Sequence, residues 1–313
     1  MTTDPSLRPT AGADRLVGVW NIVPTPFLDD GSLDEASLPT LTRFVAGCGV
    51  DGMTILGVLG EAAKLSDTER GTVIRGVIAA AGDLPVCVGV THAATDRAIA
   101  YAREAADAGA HSVMLAPPAL ARPNDDAVLA HYLAVAAAVD LPIVVQDHPA
   151  SSGVTMSVGL LTAIADRASN AQVIKLEDEP SPPKVGRLLA ARPDLRILGG
   201  LGAIMLLEEL RRGAVGTMTG FGFPELLVDI VGRYRGGDEA GAREVFHRIM
   251  PLIRFENQPG INLAIRKYLY QRRGAIATAR LRAPGASIDA GTIADLEFIL
   301  ESVGLADRVP VAG

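Results

Sequence analysis

Residues 86–116 read VCVGVTHAATDRAIAYAREAADAGAHSVMLA, and this stretch decides the fold class. Val86-Cys87-Val88-Gly89-Val90 is a short apolar run rich in β-branched residues, the signature of a buried strand. Asp96 to Ala108 is alanine-rich and helical in character, and Gly109 supplies its stop. Ser112 to Ala116 is a second apolar run of the first kind. A strand, a helix and a strand in succession make a βαβ unit with parallel strands and the helix outside the sheet.

The unit recurs in both directions. Further strand candidates are Leu16–Val23, Gly52–Leu56, Ile143–Gln146, Gln172–Lys175, Leu195–Leu198 and Val215–Thr219, which makes eight in all. Ser66-Asp67-Thr68-Glu69 reads as a capping box that opens a helix, and helices are expected over Asp125 to Val139 and Ser157 to Ala168. Eight units point to an α/β protein, a closed (β/α)8 TIM barrel, with an open doubly wound sheet as the other arrangement of the same pattern. Past the eighth strand the alternation stops. Leu226–Tyr234, Glu239–Ile253, Gly260–Gln271 and Asp289–Val303 read as helices, with Asp289 suited to the last N-cap and Arg280 to Ala286 as an irregular connector. The expected organisation is a flexible N-terminal tail over 1–14, a barrel over 15–224 and a helical extension over 225–313 packed on it.

Composition bounds the partners. Of 313 residues, 49% are hydrophobic and 4% aromatic, so the core must be built of Ala, Val, Leu and Ile. A net charge of −7 argues against nucleic acid or an anionic membrane as the main partner. Cys48 and Cys87 are the only cysteines, which suits neither a disulfide framework nor a zinc cluster. Neither a signal peptide nor a bilayer-spanning run is visible, so a soluble cytoplasmic protein is expected.

Lysine is scarce: Lys64, Lys175, Lys184 and Lys267 are the only four among 29 basic residues. Lys175 closes the apolar run Ala171-Gln172-Val173-Ile174-Lys175. Desolvation favours a neutral amine, and a neutral amine is a nucleophile toward a carbonyl. The bland alternative is a lysine that ends a strand and reaches water along its stem. In a barrel the active face lies at the C-terminal strand ends. There Gly57-Val58-Leu59-Gly60-Glu61 forms a turn whose backbone N–H groups could hold a carboxylate. Gln146, Asp147 and His148 follow the fifth strand, and Glu177 lies two residues past Lys175, on its side if the strand continues. Glu177 could assist proton transfer or simply neutralise the lysine. His148 could be an acid or base near neutrality, or an exposed loop histidine. Gly199-Gly200-Leu201-Gly202 and the glycines from Gly216 to Gly222 occupy the usual barrel phosphate site, which keeps a phosphosugar enzyme in view. The five histidines are scattered, so no metal site is expected, and no dinucleotide fingerprint is present.

Taken in order, Pro24-Thr25-Pro26-Phe27, Gly57-Val58-Leu59-Gly60-Glu61 with Leu65-Ser66, Pro149, Gly153, Ile174-Lys175 and Gly213-Ala214-Val215-Gly216 resemble the dihydrodipicolinate synthase / N-acetylneuraminate lyase family over about residues 15 to 300. The resemblance implies a barrel with a C-terminal helical bundle and a homo-oligomer, tetramer or dimer. It also implies a Schiff base between a 2-oxo acid substrate and Lys175, with the substrate carboxylate on the turn at Val58, Leu59 and Gly60. Thr25 and Gly199 join Gln146 as expected substrate contacts. Neither a metal nor another cofactor is implied.

Several positions depart from that pattern. Val58 and Leu59 stand where the family has two threonines, and Gln146-Asp147-His148-Pro149 stands where it has Tyr-Asn-x-Pro. Pro117-Pro118-Ala119 replaces Pro-Tyr-Tyr, and Ser151 falls where the synthase has a substrate-binding arginine. Gln146-Asp147-His148-Pro149 with Ile174-Lys175-Leu176-Glu177 looks more like the branch that dehydrates 2-keto-3-deoxy sugar acids. The expectation is therefore a Schiff-base dehydratase or aldolase. Glu177, His148 and Asp147 are the candidates for the missing tyrosine's proton transfers. The alternatives are a true synthase joining pyruvate to aspartate semialdehyde, and a non-catalytic 2-oxo-acid-binding barrel.

Overall fold

The computed structural model describes residues 12–122 and 124–309. Eight parallel strands, β1 (Gly18–Ile22), β2 (Gly52–Ile55), β3 (Val86–Gly89), β4 (Ser112–Leu115), β5 (Ile143–Asp147), β6 (Val173–Leu176), β7 (Arg196–Gly199) and β8 (Gly216–Thr219), pair in sequence order. Trp20 aligns with Met218 where β1 meets β8, so the sheet closes into a barrel and the open-sheet arrangement is excluded. Each expected strand is present with its ends shifted by a residue or two. β1 starts at Gly18 rather than Leu16, because residues 13–15 form a 3-10 turn ahead of it. β5 runs one residue further than expected, to Asp147.

The barrel helices are α1 (Ser37–Gly47), α2 (Asp67–Ala81), α3 (Thr95–Asp107), α4 (Asp125–Ala136), α5 (Pro149–Ser152), α6 (Val158–Arg167), α7 (Ser181–Ala191) and α8 (Leu206–Arg211). Ser66 and Glu69 form the reciprocal capping box of α2, and Ser157 caps α6. Such caps are worth about 1 kcal/mol each. The expected helix over 125–139 ends three residues early, at Ala136. The C-terminal extension is α9 (Pro224–Arg235), α10 (Glu239–Glu256), α11 (Asn262–Arg272) and α12 (Ala290–Ser302), the last capped by Asp289. Of the expected tail, residues 12–14 carry part of the 3-10 turn, and residues 1–11 lie outside the described residues. Among the described residues no helix is long and apolar enough to cross a membrane.

Side chains alternate across each strand. The inward set, including Trp20, Cys87, Met114, Val144, Val173, Leu198 and Met218, fills the barrel. The outward set, such as Val113, Val145, Ile174 and Ile197, joins the helices in a larger aliphatic layer. This parity decides the site. Gln146 follows Val144 inward and Lys175 follows Val173 inward. Asp147 follows Val145 outward, toward the helices.

Candidate active site

Gln146 on β5 and Lys175 on β6 are register partners, so their side chains lie side by side at the C-terminal end of the barrel. The pairing runs one step further: Glu177 N–H donates to the Asp147 carbonyl at 2.8 Å. Glu177 therefore keeps strand geometry and the parity of Lys175. Its Oε2 accepts from Gln146 Nε2 at 2.7 Å and lies 2.9 Å from Lys175 Nζ. His148 Nδ1 is 4.0 Å from the same oxygen and 2.8 Å from Ser151 Oγ. Lys175 is 2% exposed and Glu177 8%, whereas the His148 side chain is 20% exposed. Burial works to raise the Glu177 carboxyl, but the Lys175 charge, His148 and the two hydrogen bonds outweigh it and hold the pKa below the usual carboxylate range. Glu177 is thus an anion in a dry place, touching both the amine and the amide.

Gly200 makes room for it, since a Cβ there would fall inside the Glu177 side chain. A Cβ at Gly199 would likewise collide with Glu209, a second buried carboxyl that accepts from Ser181 Oγ at 2.5 Å. Burial, reinforced by the Glu177 charge, pushes Glu209 up to about 8 despite the Ser181 bond. The glycines after β7 and β8 serve close packing here rather than phosphate binding. Gly202 N–H donates to Thr219 Oγ1 at 2.9 Å, and Gly222 N–H donates to the Glu256 carboxylate at 3.1 Å. The protein's own side chains already occupy these two amides.

The turn after β2 is built differently. Gly60 N–H and Glu61 N–H donate within the turn, to Gly57 O and Val58 O at 3.0 Å each, and Thr25 Oγ1 donates to Gly60 O at 2.6 Å. Gly60 and Thr25 therefore shape the turn. Gly57, Val58 and Leu59 N–H donate to nothing among the described residues, and Val58 and Leu59 are the open donors at its centre. Leu56 and Glu61 flank them at φ 57° and 51°, the left-handed region that disfavours side chains bearing Cβ. A clamp holds Glu61 there. It accepts from Lys267 Nζ of α11 at 2.7 Å, from Lys64 Nζ at 2.9 Å and from Arg282 N–H at 3.0 Å. Burial lowers Lys267 to about 8, although Glu61 pulls it back up.

A cavity of about 780 Å³ opens over these strand ends, lined among others by Gly57, Val58, Thr91, Pro117, Gln146 and Ser151. Gln146 is on its wall, with Lys175 and Glu177 packed behind. The loop after β4 brings Ala116, Pro117 and Ala119 to the wall, and no tyrosine.

Asp147 is apart from this group. It is fully buried on the outer face of β5, where Lys184 Nζ of α7 lies 2.6 Å away and also contacts Asp178 at 2.7 Å. Burial raises the Asp147 carboxyl, and Lys184 opposes the rise. An acid–base role for Asp147 does not fit that position, because strand parity turns it away from the cavity. Among the described residues no group of three His, Cys, Asp or Glu side chains is placed to hold a metal ion.

The model of the Dihydrodipicolinate synthetase family matches residues 15–303. The chain belongs to that family. It is accordingly an enzyme of the lyase type. An L-2-keto-3-deoxyarabonate dehydratase of Azospirillum brasilense is 35% identical over 295 residues, covering 92% of this chain and 94% of its own. A 4-hydroxy-tetrahydrodipicolinate synthase of Acidobacterium capsulatum is 31% identical, covering 95% of this chain and 98% of its own. Among solved structures, a dihydrodipicolinate synthase from Rhodopseudomonas palustris superposes with TM-score 0.88 at 35% identity, covering 94% of this chain and 99% of that one. The turn at 57–61 and Gln146 at the β5 end line one cavity, and Lys175 and Glu177 adjoin Gln146. Sequence reasoning did not find the clamp of Lys267 and Arg282 on Glu61. Its one available signal was the scarcity of lysine, which applies to Lys267 as much as to Lys175.

Proposed function

We propose that this lyase dehydrates a 2-keto-3-deoxy sugar acid through a Schiff base on Lys175. The observation that carries the reading is the contact of buried Lys175 with one carboxylate, Glu177, beside a glutamine in place of the relay tyrosine. The substrate carboxylate would sit on the open N–H groups of Val58 and Leu59. Glu177 accepts the proton that Lys175 must shed, and the free amine attacks C2. Glu177 returns that proton to the carbinolamine hydroxyl, which leaves as water, so that Glu177 is again an anion beside an iminium, an electron sink that acidifies C3. Transfer of a C3 proton to Glu177 gives an enamine. The enamine electrons then expel the C4 hydroxyl, which leaves as water with a proton returned from Glu177. Hydrolysis of the resulting iminium restores Lys175 and releases an unsaturated 2-oxo acid, net of one water. Gln146 orients a hydroxyl or water and carries no proton. His148, more exposed, connects Glu177 with solvent. The steps call for neither metal nor nicotinamide.

The 35% identity to a 2-keto-3-deoxyarabonate dehydratase supports the substrate class. Similarity to synthases supports the competing reading, condensation of pyruvate with aspartate semialdehyde. Ser151 in place of the synthase's arginine, and Gln146 in place of its tyrosine, argue against it. Borohydride reduction with pyruvate or a 2-keto-3-deoxy acid is expected to leave an adduct on Lys175, read by peptide mass spectrometry. The 2-keto-3-deoxy acids are expected to lose water and release no pyruvate. An adduct elsewhere, or none, overturns the Schiff base, and pyruvate release overturns the dehydratase.

A further inference from the structure

Five basic side chains are buried among the described residues: Arg70, Lys175, Lys184, Arg266 and Lys267. Four have a carboxylate in contact. Lys175 has Glu177, Lys184 has Asp147 and Asp178, Arg266 has Glu256, and Lys267 has Glu61. Arg70 has none. Buried charges are costly unless paired, so the exception calls for an explanation.

Arg70 sits in the first turn of α2, 3% exposed, on the wall of the same cavity as Gln146 and Val58. Of its five N–H donors, only Nη2 makes a hydrogen bond, to the Gly89 carbonyl at 3.0 Å. Its Nε is buried without a partner. The guanidinium lies 3.9 Å over the ring of Tyr101, which also lines the cavity. That stacking holds the plane in place without supplying a charge. The acidic groups around it are Asp67 and Glu104. Asp67 is engaged by Arg97 and by Tyr101 Oη, and neither carboxylate forms an ion pair with Arg70. The other basic groups on the wall are occupied or differently engaged. Lys64 holds Glu61 and the Arg282 carbonyl, and His92 Nδ1 accepts from Ala94 N–H.

We propose that Arg70 receives a second carboxylate at the far end of the substrate, so that among 2-keto-3-deoxy sugar acids the enzyme prefers those that end in a carboxylate to those that end in a hydroxyl. The proposal rests on the Schiff-base reading, because the first carboxylate and C2 must be anchored at Val58, Leu59 and Lys175 for the tail to be directed. A planar guanidinium with free donors is matched to a carboxylate and pre-oriented for it. A distal hydroxyl would leave the buried charge uncompensated, which makes Arg70 a specificity-determining residue.

Borohydride trapping reads this without knowledge of the natural substrate. The probes are pyruvate, 2-oxohexanoate as an uncharged tail, and the diacids 2-oxoglutarate, 2-oxoadipate and 2-oxopimelate as tails of increasing length. The readout is the concentration giving half-maximal adduct on Lys175. At least one diacid is expected to trap at roughly tenfold lower concentration than 2-oxohexanoate, the scale of a charge-assisted hydrogen bond. Arg70→Gln is expected to erase that advantage and Arg70→Lys to restore part of it. Diacids no better than 2-oxohexanoate at any length, or an advantage that survives Arg70→Gln, would overturn the assignment. Failure to trap pyruvate in the parent sinks the Schiff base itself, an outcome distinct from trapped pyruvate without diacid preference.

Discussion

Replacing Glu177 by Gln keeps the side chain's volume and removes its charge. The change falls on an oxygen that lies 2.7 Å from Gln146 Nε2 and 2.9 Å from Lys175 Nζ. Two effects follow, and they can be measured apart. The first is on stability. Both partners are over nine-tenths buried, so Lys175 loses its counter-charge with little water to replace it. Removing one member of a buried ion pair costs about 3–5 kcal/mol. The pKa of Glu177 is held low in the fold. Its contribution is therefore complete above the ordinary carboxylate pKa and is lost as pH falls through the folded value. The variant should accordingly be destabilised at neutral pH and converge on the parent in acid. The second effect is on rate. An amide cannot carry a proton from C3 to the leaving hydroxyl, and general acid–base groups contribute about 10²–10⁴-fold. Dehydration of a 2-keto-3-deoxy acid should slow by that factor, followed by product formation at saturating substrate, while borohydride still traps an adduct on Lys175. Turnover within a few-fold of the parent would mean that Glu177 is a structural carboxylate and that the proton path lies elsewhere.

Two further changes probe the surrounding carboxyls. Asp147→Asn should lower stability by about 3 kcal/mol in chemical denaturation, the low end for a buried pair because Asp178 stays on Lys184, and leave turnover within a few-fold. A hundredfold loss of turnover in a stable protein would instead make Asp147 a catalyst. Glu209, raised to about 8 from 4.5, binds its proton more tightly folded than unfolded. Stability should therefore fall as pH rises from about 4.5 to about 8, by at most about 5 kcal/mol, and Glu209→Gln should flatten the melting-temperature profile across that window. An unchanged slope would show that Glu209 is ionised in the fold.

The barrel was legible because each unit announces itself locally: an apolar β-branched run, a capped start such as Ser66 with Glu69, and a glycine stop such as Gly109. The shared side of Lys175 and Glu177 is legible for the same reason, since a spacing of two fixes it once a strand is assumed. The position of Asp147 turns on a boundary. With the fifth strand taken to end at Gln146, the next residue looked like loop, free to face the cavity. One more residue of strand turns it outward onto Lys184. Arg70 left no trace in the sequence. A basic residue in a helix's first turn looks like an ordinary solvated charge, and only the packing of α2 against the end of β3 and Tyr101 encloses it. Helices α1, α5, α7 and α8 are not delimited by the sequence either. α7 opens with Ser181-Pro182-Pro183, which reads as a loop until the first-turn tolerance for proline is applied.

The grip on Glu61 bears on how such a barrel can change its chemistry over time. The turn at 57–61 is encoded after β2, yet its strained corner is fastened by Lys267 and Arg282, more than two hundred residues later in the chain. A new turn grafted between β2 and α2 would inherit the sequence of the corner without its fastening. Exchange of that loop between relatives should succeed only when α11 and the connector at 280–282 travel with it, so the heritable unit of this half of the site is discontinuous in the gene.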